Sequence, residues 1–152
     1  MDSRTPLRIL HADDDESFHL LVRHAFGAQS LDQKCTIYSV SDGTEAVDFV
    51  AGKGKYADRQ AFPVPDLILL DQRMQAMDGI DALRLLRADR VGRRLPVVIF
   101  STAVSEQLIE RCYASGATLL VEKPMDYTRL GPVLRLLVDF ALDVLRLPEF
   151  RS

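Results

Sequence analysis

The sequence has few cysteines, no long apolar run and no excess of basic residues. Its two cysteines, Cys35 and Cys112, lack the CxxC spacing of a zinc or redox site, so we expect buried thiols without a disulfide. No stretch approaches the roughly 18 apolar residues of a membrane span, and residues 1–6 lack the apolar core of a signal peptide. The formal net charge of -3 disfavours a nucleic-acid partner. These absences favour a cytoplasmic protein that binds neither membrane nor nucleic acid.

The 152 residues suit one domain with a full hydrophobic core, so we predict a single domain over residues 1–152. Strand-like apolar runs alternate five times with segments of helical periodicity. The predicted pairs are Leu7–Ala12 with Ser17–Ala28, Cys35–Val40 with Glu45–Val50, Asp66–Leu70 with Gly79–Ala88, Pro96–Phe100 with Ser105–Ala114, and Thr118–Val121 with a last helix ending near Leu147. Strands three to five are apolar without alternation, which is typical of a parallel sheet covered on both faces. We therefore predict an α/β, doubly wound, five-stranded parallel sheet with right-handed crossovers.

One segment interrupts this regular alternation. Residues 52–63 are polar, contain glycines and end near two prolines, Pro63 and Pro65. The segment is longer than the usual connection of a few residues. We expect an exposed, flexible connector.

Ionisable side chains follow three of the predicted strands. Asp13 and Asp14 come after the first strand, Asp71 after the third and Lys123 after the fifth. Because the carboxyl ends of parallel strands open onto a common crevice, we expect these side chains to converge. Carboxylates at close range repel one another, and a hard divalent cation such as Mg²⁺ relieves the repulsion while leaving positions open for a phosphate. The pattern indicates phosphoryl transfer.

Five short motifs, each at the end of a predicted strand, resemble the receiver domains of two-component response regulators. They are Leu10–Asp14, Leu69–Met74 with Met77–Gly79, Phe100–Ala103 and Glu122–Pro124, in the family's order. The resemblance covers nearly the whole chain and implies a flavodoxin-like (βα)5 fold with strand order 2-1-3-4-5. It also implies a signalling phosphoprotein rather than an enzyme, one that catalyses only its own phosphoryl transfer and autodephosphorylation.

The resemblance also assigns roles to individual residues. Asp71 is then the phosphoacceptor, whose carboxylate attacks phosphorus to form an aspartyl phosphate. Lys123 contacts one phosphate oxygen, and the Ser101 hydroxyl bonds another once the acyl phosphate has formed. The implied ligands of Mg²⁺ or Mn²⁺ are Asp13, Asp14, Asp71 and the backbone carbonyl of Arg73. The implied switch region comprises Ser101, Thr102, Leu120, Lys123 and Pro124, with a cis peptide bond between the last two.

The chain departs from the receiver pattern in the loops around Asp71. Gln75 stands where receivers commonly carry proline, which removes a φ constraint, so we expect a more mobile loop. Leu120 stands where receivers commonly carry an aromatic residue, and it offers no phenol to an aromatic relay. Arg73 and Thr102 are expected to gate the approach to Asp71 and so to alter the phosphoryl lifetime.

Two further segments, Gly52–Ala57 and Lys123–Tyr127, resemble the small stand-alone receivers associated with bacterial phytochrome histidine kinases. The implied partner is a sensor histidine kinase, with a bacterial phytochrome as the candidate and no output domain after the receiver. The output stays open between phosphorylation-dependent protein contacts, a phosphorelay step and a phosphate sink. A phosphate-independent pseudo-receiver adaptor is disfavoured by the intact motif set. A phosphatase is disfavoured because Arg73 stands where such enzymes carry a second acid.

The predicted last helix has more apolar surface than a monomer needs. Its polar residues form one narrow stripe, and one apolar face can cover the sheet. A second apolar strip remains, formed by Val133, Leu136, Phe140, Val144 and Leu147. The alternative is that this strip packs on the fourth helix or on the chain's tail. Extended apolar strips usually mark interfaces, so we predict a two-fold homodimer through the last helix.

Overall fold

Five strands and five helices alternate along residues 5–144, the part of the chain that this computed structural model describes. The strands are β1 (Leu7–Ala12), β2 (Cys35–Val40), β3 (Leu67–Asp71), β4 (Val97–Ser101) and β5 (Leu119–Glu122). The helices are α1 (Glu16–Ala28), α2 (Gly43–Ala51), α3 (Gly79–Ala88), α4 (Glu106–Ala114) and α5 (Leu130–Asp143). All strand pairs are parallel and the order is β2-β1-β3-β4-β5, which confirms the predicted flavodoxin-like fold.

Side-chain caps begin four of the helices, each in the loop that follows the carboxyl end of a strand. The caps of α1 to α4 are Asp15, Asp42, Asp78 and Ser105, and each accepts hydrogen bonds from backbone N–H groups in the first helical turn. Such caps satisfy N–H groups that have no partner inside the helix and typically stabilise it by about 1 kcal/mol. They also keep the loops at this edge of the sheet close to the strand ends.

The two faces of the sheet bury different helices. Leu10 and Ile68 pack with residues of α2, α3 and α4 in one buried cluster. Ile9 and Leu69 pack with residues of α1 and α5 in a second cluster on the opposite face. Neighbouring strand residues point to opposite faces, which explains why the central strands are apolar without alternation. Both cysteines are free and buried, as predicted.

The segment between α2 and β3 is mostly exposed, as predicted, but a few of its side chains anchor it to the core, which the expectation of a flexible connector did not include. The Tyr56 ring is 6% exposed and lies 5.0 Å from the Phe49 ring, and the Phe62 ring lies 5.8 Å from the Phe49 ring. The Arg59 guanidinium donates hydrogen bonds to the carbonyls of Phe49, Val50 and Phe62. The bonds to Phe49 and Val50 add a side-chain donor to carbonyls in the last turn of α2, where intrahelical donors run out. The polar composition of the segment concealed this anchoring.

The last helix begins after a short turn. Asp126 caps the 3₁₀ turn Tyr127–Arg129, and α5 follows directly. The predicted helix end near Leu147 lies outside the described residues. None of the helices between residues 5 and 144 combines the length and apolar character needed to cross a bilayer.

Candidate metal centre at the carboxyl edge of the sheet

The three predicted carboxylates meet at the carboxyl ends of β1 and β3. Asp13, Asp14 and Asp71 each offer a carboxylate oxygen, and these oxygens lie within 4.8 Å of one another. Pairing of Ala12 with Leu70 sets the two strand ends side by side. Asp13 and Asp71 are buried, whereas Asp14 is exposed at the mouth of the site. The expected convergence of these side chains is confirmed.

Lys123 joins the carboxylates from the end of β5. Its Nζ lies 2.9 Å from Asp13 Oδ2 and 2.9 Å from Asp71 Oδ1. Its backbone N–H donates to the Ser101 carbonyl at 2.8 Å, which holds the residue against the end of β4. One ammonium therefore faces three carboxylates, and the cluster keeps a negative charge.

Burial makes Asp71 an unfavourable anion in this cluster. Desolvation raises its pKa to about 6, with repulsion from Asp13 and Asp14 adding to the shift and the Lys123 hydrogen bond opposing it. Burial alone would lower the pKa of Lys123, but its hydrogen bonds to Asp13 and Asp71 outweigh that and raise it. A further cation at the carboxylates would favour the ionised form of Asp71.

The donor set fits a hard divalent cation. All three side chains present carboxylate oxygens, the ligand type that Mg²⁺ and Mn²⁺ accept most readily. The exposed Asp14 leaves the cluster open to solvent on one side, so an ion and its waters can enter. Arg73 is exposed beside the cluster, and the role of its backbone carbonyl as a ligand stays a prediction.

Of the predicted switch residues, Lys123 contacts the carboxylates, whereas the Ser101 hydroxyl bonds a backbone carbonyl. Ser101 is buried, and its Oγ–H donates to the Ala103 carbonyl at 2.8 Å. Thr102 is exposed, and Leu120 is half-buried against the core. Ser101 therefore has to exchange its carbonyl partner before it can bind a phosphate oxygen on Asp71.

The Lys123–Pro124 peptide is trans, which corrects the cis bond implied by the resemblance. Residues 5–144 contain no cis peptide bond. A trans bond before proline is favoured by about 0.5–1 kcal/mol. Lys123 reaches both carboxylates with this trans bond, so the contacts seen here do not require a cis turn.

An aromatic layer formed by Phe18, His11 and His19 lies below Lys123, and the sequence motifs did not indicate it. Lys123 Nζ lies 4.0 Å from the centre of the Phe18 ring. The His11 ring lies 5.8 Å from Phe18 and 4.4 Å from the His19 ring, and His19 Nε2 is 2.8 Å from the Asp13 carbonyl oxygen. A histidine next to the last residue of a mostly apolar strand was the available signal.

Gln75 contributes a contact that the usual proline would exclude. Its backbone N–H donates to Asp14 Oδ2 at 3.3 Å, and proline has no N–H to donate. The chain then turns sharply at Ala76, whose φ is 65°, and the Met77 N–H bonds the Gln75 carbonyl. The loop after β3 is thereby tied to the exposed metal-ligand candidate.

Gln75→Pro is expected to weaken divalent-ion binding severalfold, because the Asp14 carboxylate loses the donor that orients it. Losing an outer hydrogen-bond partner of a metal ligand typically costs about 10–100-fold in affinity, and the length of this bond favours the low end. Calorimetric titration with Mn²⁺ measures the effect. Gln75→Ala retains the N–H and is the matched control. Equal affinities for the two variants would contradict the prediction.

Comparison with known proteins gives consistent matches. The family model for the response regulator receiver domain matches residues 9–135. The response regulator Rcp1 of Synechocystis sp. is 26% identical over 147 residues, which are 97% of each chain. The crystal structure of its Mn²⁺-bound form has a TM-score of 0.81 at 25% identity and covers 95% of this chain and 100% of that chain.

Two further crystal structures are similar over nearly the whole chain. The phosphorylated cyanobacterial phytochrome response regulator RcpA is 26% identical, with a TM-score of 0.85 and coverage of 95% of this chain and 100% of that one. The response regulator RPA3017, in red light signaling of R. palustris, is 31% identical, with a TM-score of 0.87 and coverage of 94% and 99%.

Proposed function

This chain belongs to the response regulator receiver domain family, and from that premise we propose that it accepts a phosphoryl group on Asp71 and signals through protein contacts that depend on this group. The observation that carries the proposal is the setting of Asp71: a buried carboxylate 2.9 Å from an ammonium and within 4.8 Å of two further carboxylates. That residues 1–152 form a single receiver domain stays a prediction.

The proposed transfer uses the side chains that the fold brings together. An Asp71 carboxylate oxygen attacks the phosphorus of a phosphohistidine, the new P–O bond forms as the P–N bond breaks, and the leaving imidazole takes up a proton. Lys123 balances charge on one phosphoryl oxygen, and Ser101 bonds another after exchanging its Ala103 partner. The carboxylates would hold a divalent ion, Mg²⁺ in our proposal, which would supply positive charge to stabilise the phosphoryl group.

Incubation with acetyl phosphate and Mg²⁺ tests the proposal directly. We expect wild-type protein to gain the mass of one phosphoryl group and Asp71→Asn to gain none. Asp81→Asn, an exposed aspartate on α3, is the matched control and should behave as wild type. A wild-type protein without the added mass, or an Asp71→Asn variant that still gains it, would refute the proposal. A generic phosphomonoester turned over in an Asp71-dependent manner would favour the phosphatase alternative instead.

The proposed donor is a sensor histidine kinase of the phytochrome type. The names of two similar structures, a phytochrome response regulator and a regulator in red light signaling, support this choice. Phosphotransfer from candidate kinases of the same genome should be fastest from the phytochrome kinase. The same assay identifies a phosphorelay step, because a relay passes the group on to a second histidine protein.

Sensor histidine kinases take phosphate from cytoplasmic ATP, so we propose that this protein acts in the cytoplasm.

Arg73 and Thr102 are proposed to control how long the phosphoryl group lasts. Both are exposed, two residues after Asp71 and one after Ser101 respectively, and we propose that they hinder the approach of water to Asp71. Arg73→Ala and Thr102→Ala should therefore autodephosphorylate severalfold faster than wild type. Arg84→Ala, an exposed arginine on α3, is the control in this decay assay. Autodephosphorylation rates equal to that of wild type within error would contradict this role of Arg73 and Thr102.

We propose that the protein dimerises through α5. Leu136 and Val144 are 71% and 61% exposed, and Phe140 is 39% exposed. They line an open apolar groove of about 480 Å³ that reaches Leu119 on β5, the last strand of the described sheet. Val133 is half-buried, and Leu147 lies outside the described residues. A second copy related by a two-fold axis would cover this strip with its own.

Sedimentation measures the oligomeric state. Wild type is expected to dimerise, and Leu136→Glu should be monomeric because it places a charge in the apolar strip. Leu20→Glu, at a leucine 69% exposed on α1, is the matched control and should leave the dimer intact. A wild-type monomer both with and without a phosphoryl mimic would count decisively against the dimer.

A further inference from the structure

We propose that Phe18 is a positioning residue: the face of its ring, 4.0 Å from Lys123 Nζ, holds the lysine ammonium beside Asp71. This inference rests on the proposed function, because it concerns how Lys123 meets the phosphoryl group. It assigns an aromatic side chain of α1 to a site otherwise built from charged and hydroxyl groups.

The contact has the geometry and burial of a strong cation–π interaction. A cation within about 6 Å of a ring centre is attracted by the negative face of the ring, and more strongly where water is excluded. Phe18 is 6% exposed, and the Lys123 side chain is 12% exposed. Few waters can therefore compete with the ring for the ammonium.

The surrounding residues fix the Phe18 ring in place. Phe18 lies in the first turn of α1, where its N–H donates to the Asp15 carbonyl at 3.1 Å. The His11 ring meets it in an edge arrangement at 5.8 Å and 68°. His11 is in turn packed at 4.4 Å against His19, whose Nε2 lies 2.8 Å from the Asp13 carbonyl oxygen. The aromatic layer is thus tied to both β1 and α1.

The contact with the Phe18 ring matters most when the carboxylates bind a divalent cation. Lys123 bonds Asp13 Oδ2 and Asp71 Oδ1 here, and a divalent ion at those carboxylates would reduce their pull on the ammonium. The Phe18 ring carries no charge that such an ion can neutralise. It keeps the ammonium next to Asp71, where a phosphoryl oxygen is to be met.

Phe18→Leu tests the inference, because it retains an apolar side chain but removes the ring. We expect Mg²⁺-dependent binding of fluoroberyllate, followed by calorimetry or fluorine NMR, to weaken about tenfold. Mn²⁺ affinity should stay close to that of wild type, since no proposed metal ligand is changed. Phe26→Leu, at a phenylalanine buried in the same helix and cluster, is the matched control and should bind fluoroberyllate as wild type does.

A double-mutant cycle separates positioning from packing. In a Lys123→Ala background, Phe18→Leu should cause no further loss of the phosphorylation rate with acetyl phosphate. If Phe18→Leu fails to fold, Phe18→trifluorophenylalanine keeps the ring shape, removes its negative face and should reproduce the tenfold weakening.

Two results would overturn this inference without touching the proposed function. One is a Phe18→Leu variant that binds fluoroberyllate as tightly as wild type. The other is a loss of phosphorylation rate on Phe18→Leu that is equal in the presence and absence of Lys123. In either case the wild-type protein is still phosphorylated on Asp71. A wild type that neither binds fluoroberyllate nor gains a phosphoryl group refutes the proposed function, and this inference with it.

Discussion

Replacing Arg87 by methionine is expected to lower the free energy of unfolding by about 4 kcal/mol. The Arg87 Nε donates to the Gly116 carbonyl at 2.9 Å, and its Nη1 donates to the carbonyls of Gly92 and Leu95 at 2.9 and 2.7 Å. One guanidinium on α3 thus joins the chain segments that precede β4 and β5. Methionine fills a similar volume but removes this donor from all three part-buried carbonyls, of which only Gly92 keeps another bond, from the Leu95 N–H.

Gly116 shows how closely this arginine is packed. Its φ is 101°, a conformation that other residues rarely adopt, and a Cβ there would meet the Arg87 side chain at 3.0 Å. Urea denaturation of the metal-free protein measures the loss of stability. Arg84→Met is the matched control, because Arg84 lies on the same helix with only a 3.8 Å surface ion pair to Asp81. A loss as small as that of the control would contradict the role assigned to Arg87.

Asp71→Asn is expected to stabilise the metal-free protein by about 2 kcal/mol near pH 8, although it abolishes the proposed phosphorylation. Burial raises the pKa of Asp71 from 3.8 to about 6 in the folded state. The folded state therefore binds the proton more tightly than the unfolded chain. This tighter proton binding adds to the free energy of unfolding. The contribution is complete below about pH 3.8 and is lost as the pH rises through about 6. Above that range the buried carboxylate costs at most about 3 kcal/mol, and asparagine removes the cost.

The pH dependence makes this prediction specific. In urea denaturation with a chelator present, the advantage of Asp71→Asn should shrink as the pH falls from about 8 towards 4. Added Mg²⁺ should raise the stability of the wild-type protein again, because an ion that binds only the folded state stabilises that state. Asp81→Asn should show neither effect, since Asp81 is exposed. An asparagine variant less stable than wild type at both pH values would show that the carboxylate is favourable where it lies.

The sequence pattern was sufficient for the fold and for the composition of the site. Periodicity of apolar residues is local information, and it located all five strands to within about two residues. A parallel sheet brings the carboxyl ends of its strands to one edge, so Asp13 and Asp71 had to meet once each was assigned to a strand end. The strand order came from the resemblance of the motifs, and the structure confirms it.

Tertiary structure alone decided which side chains from distant elements touch. Phe18 and Lys123 are far apart in the chain, and only the tertiary fold brings the ring on α1 below the ammonium of the residue that follows β5. The same holds for Arg59, which converts a polar connector into a cap for α2, and for the trans Lys123–Pro124 bond. Such contacts depend on rotamers and on the approach of neighbouring elements, which residue order does not encode locally. Hydrophobic periodicity therefore determined the scaffold, while side-chain packing determined how the lysine is held.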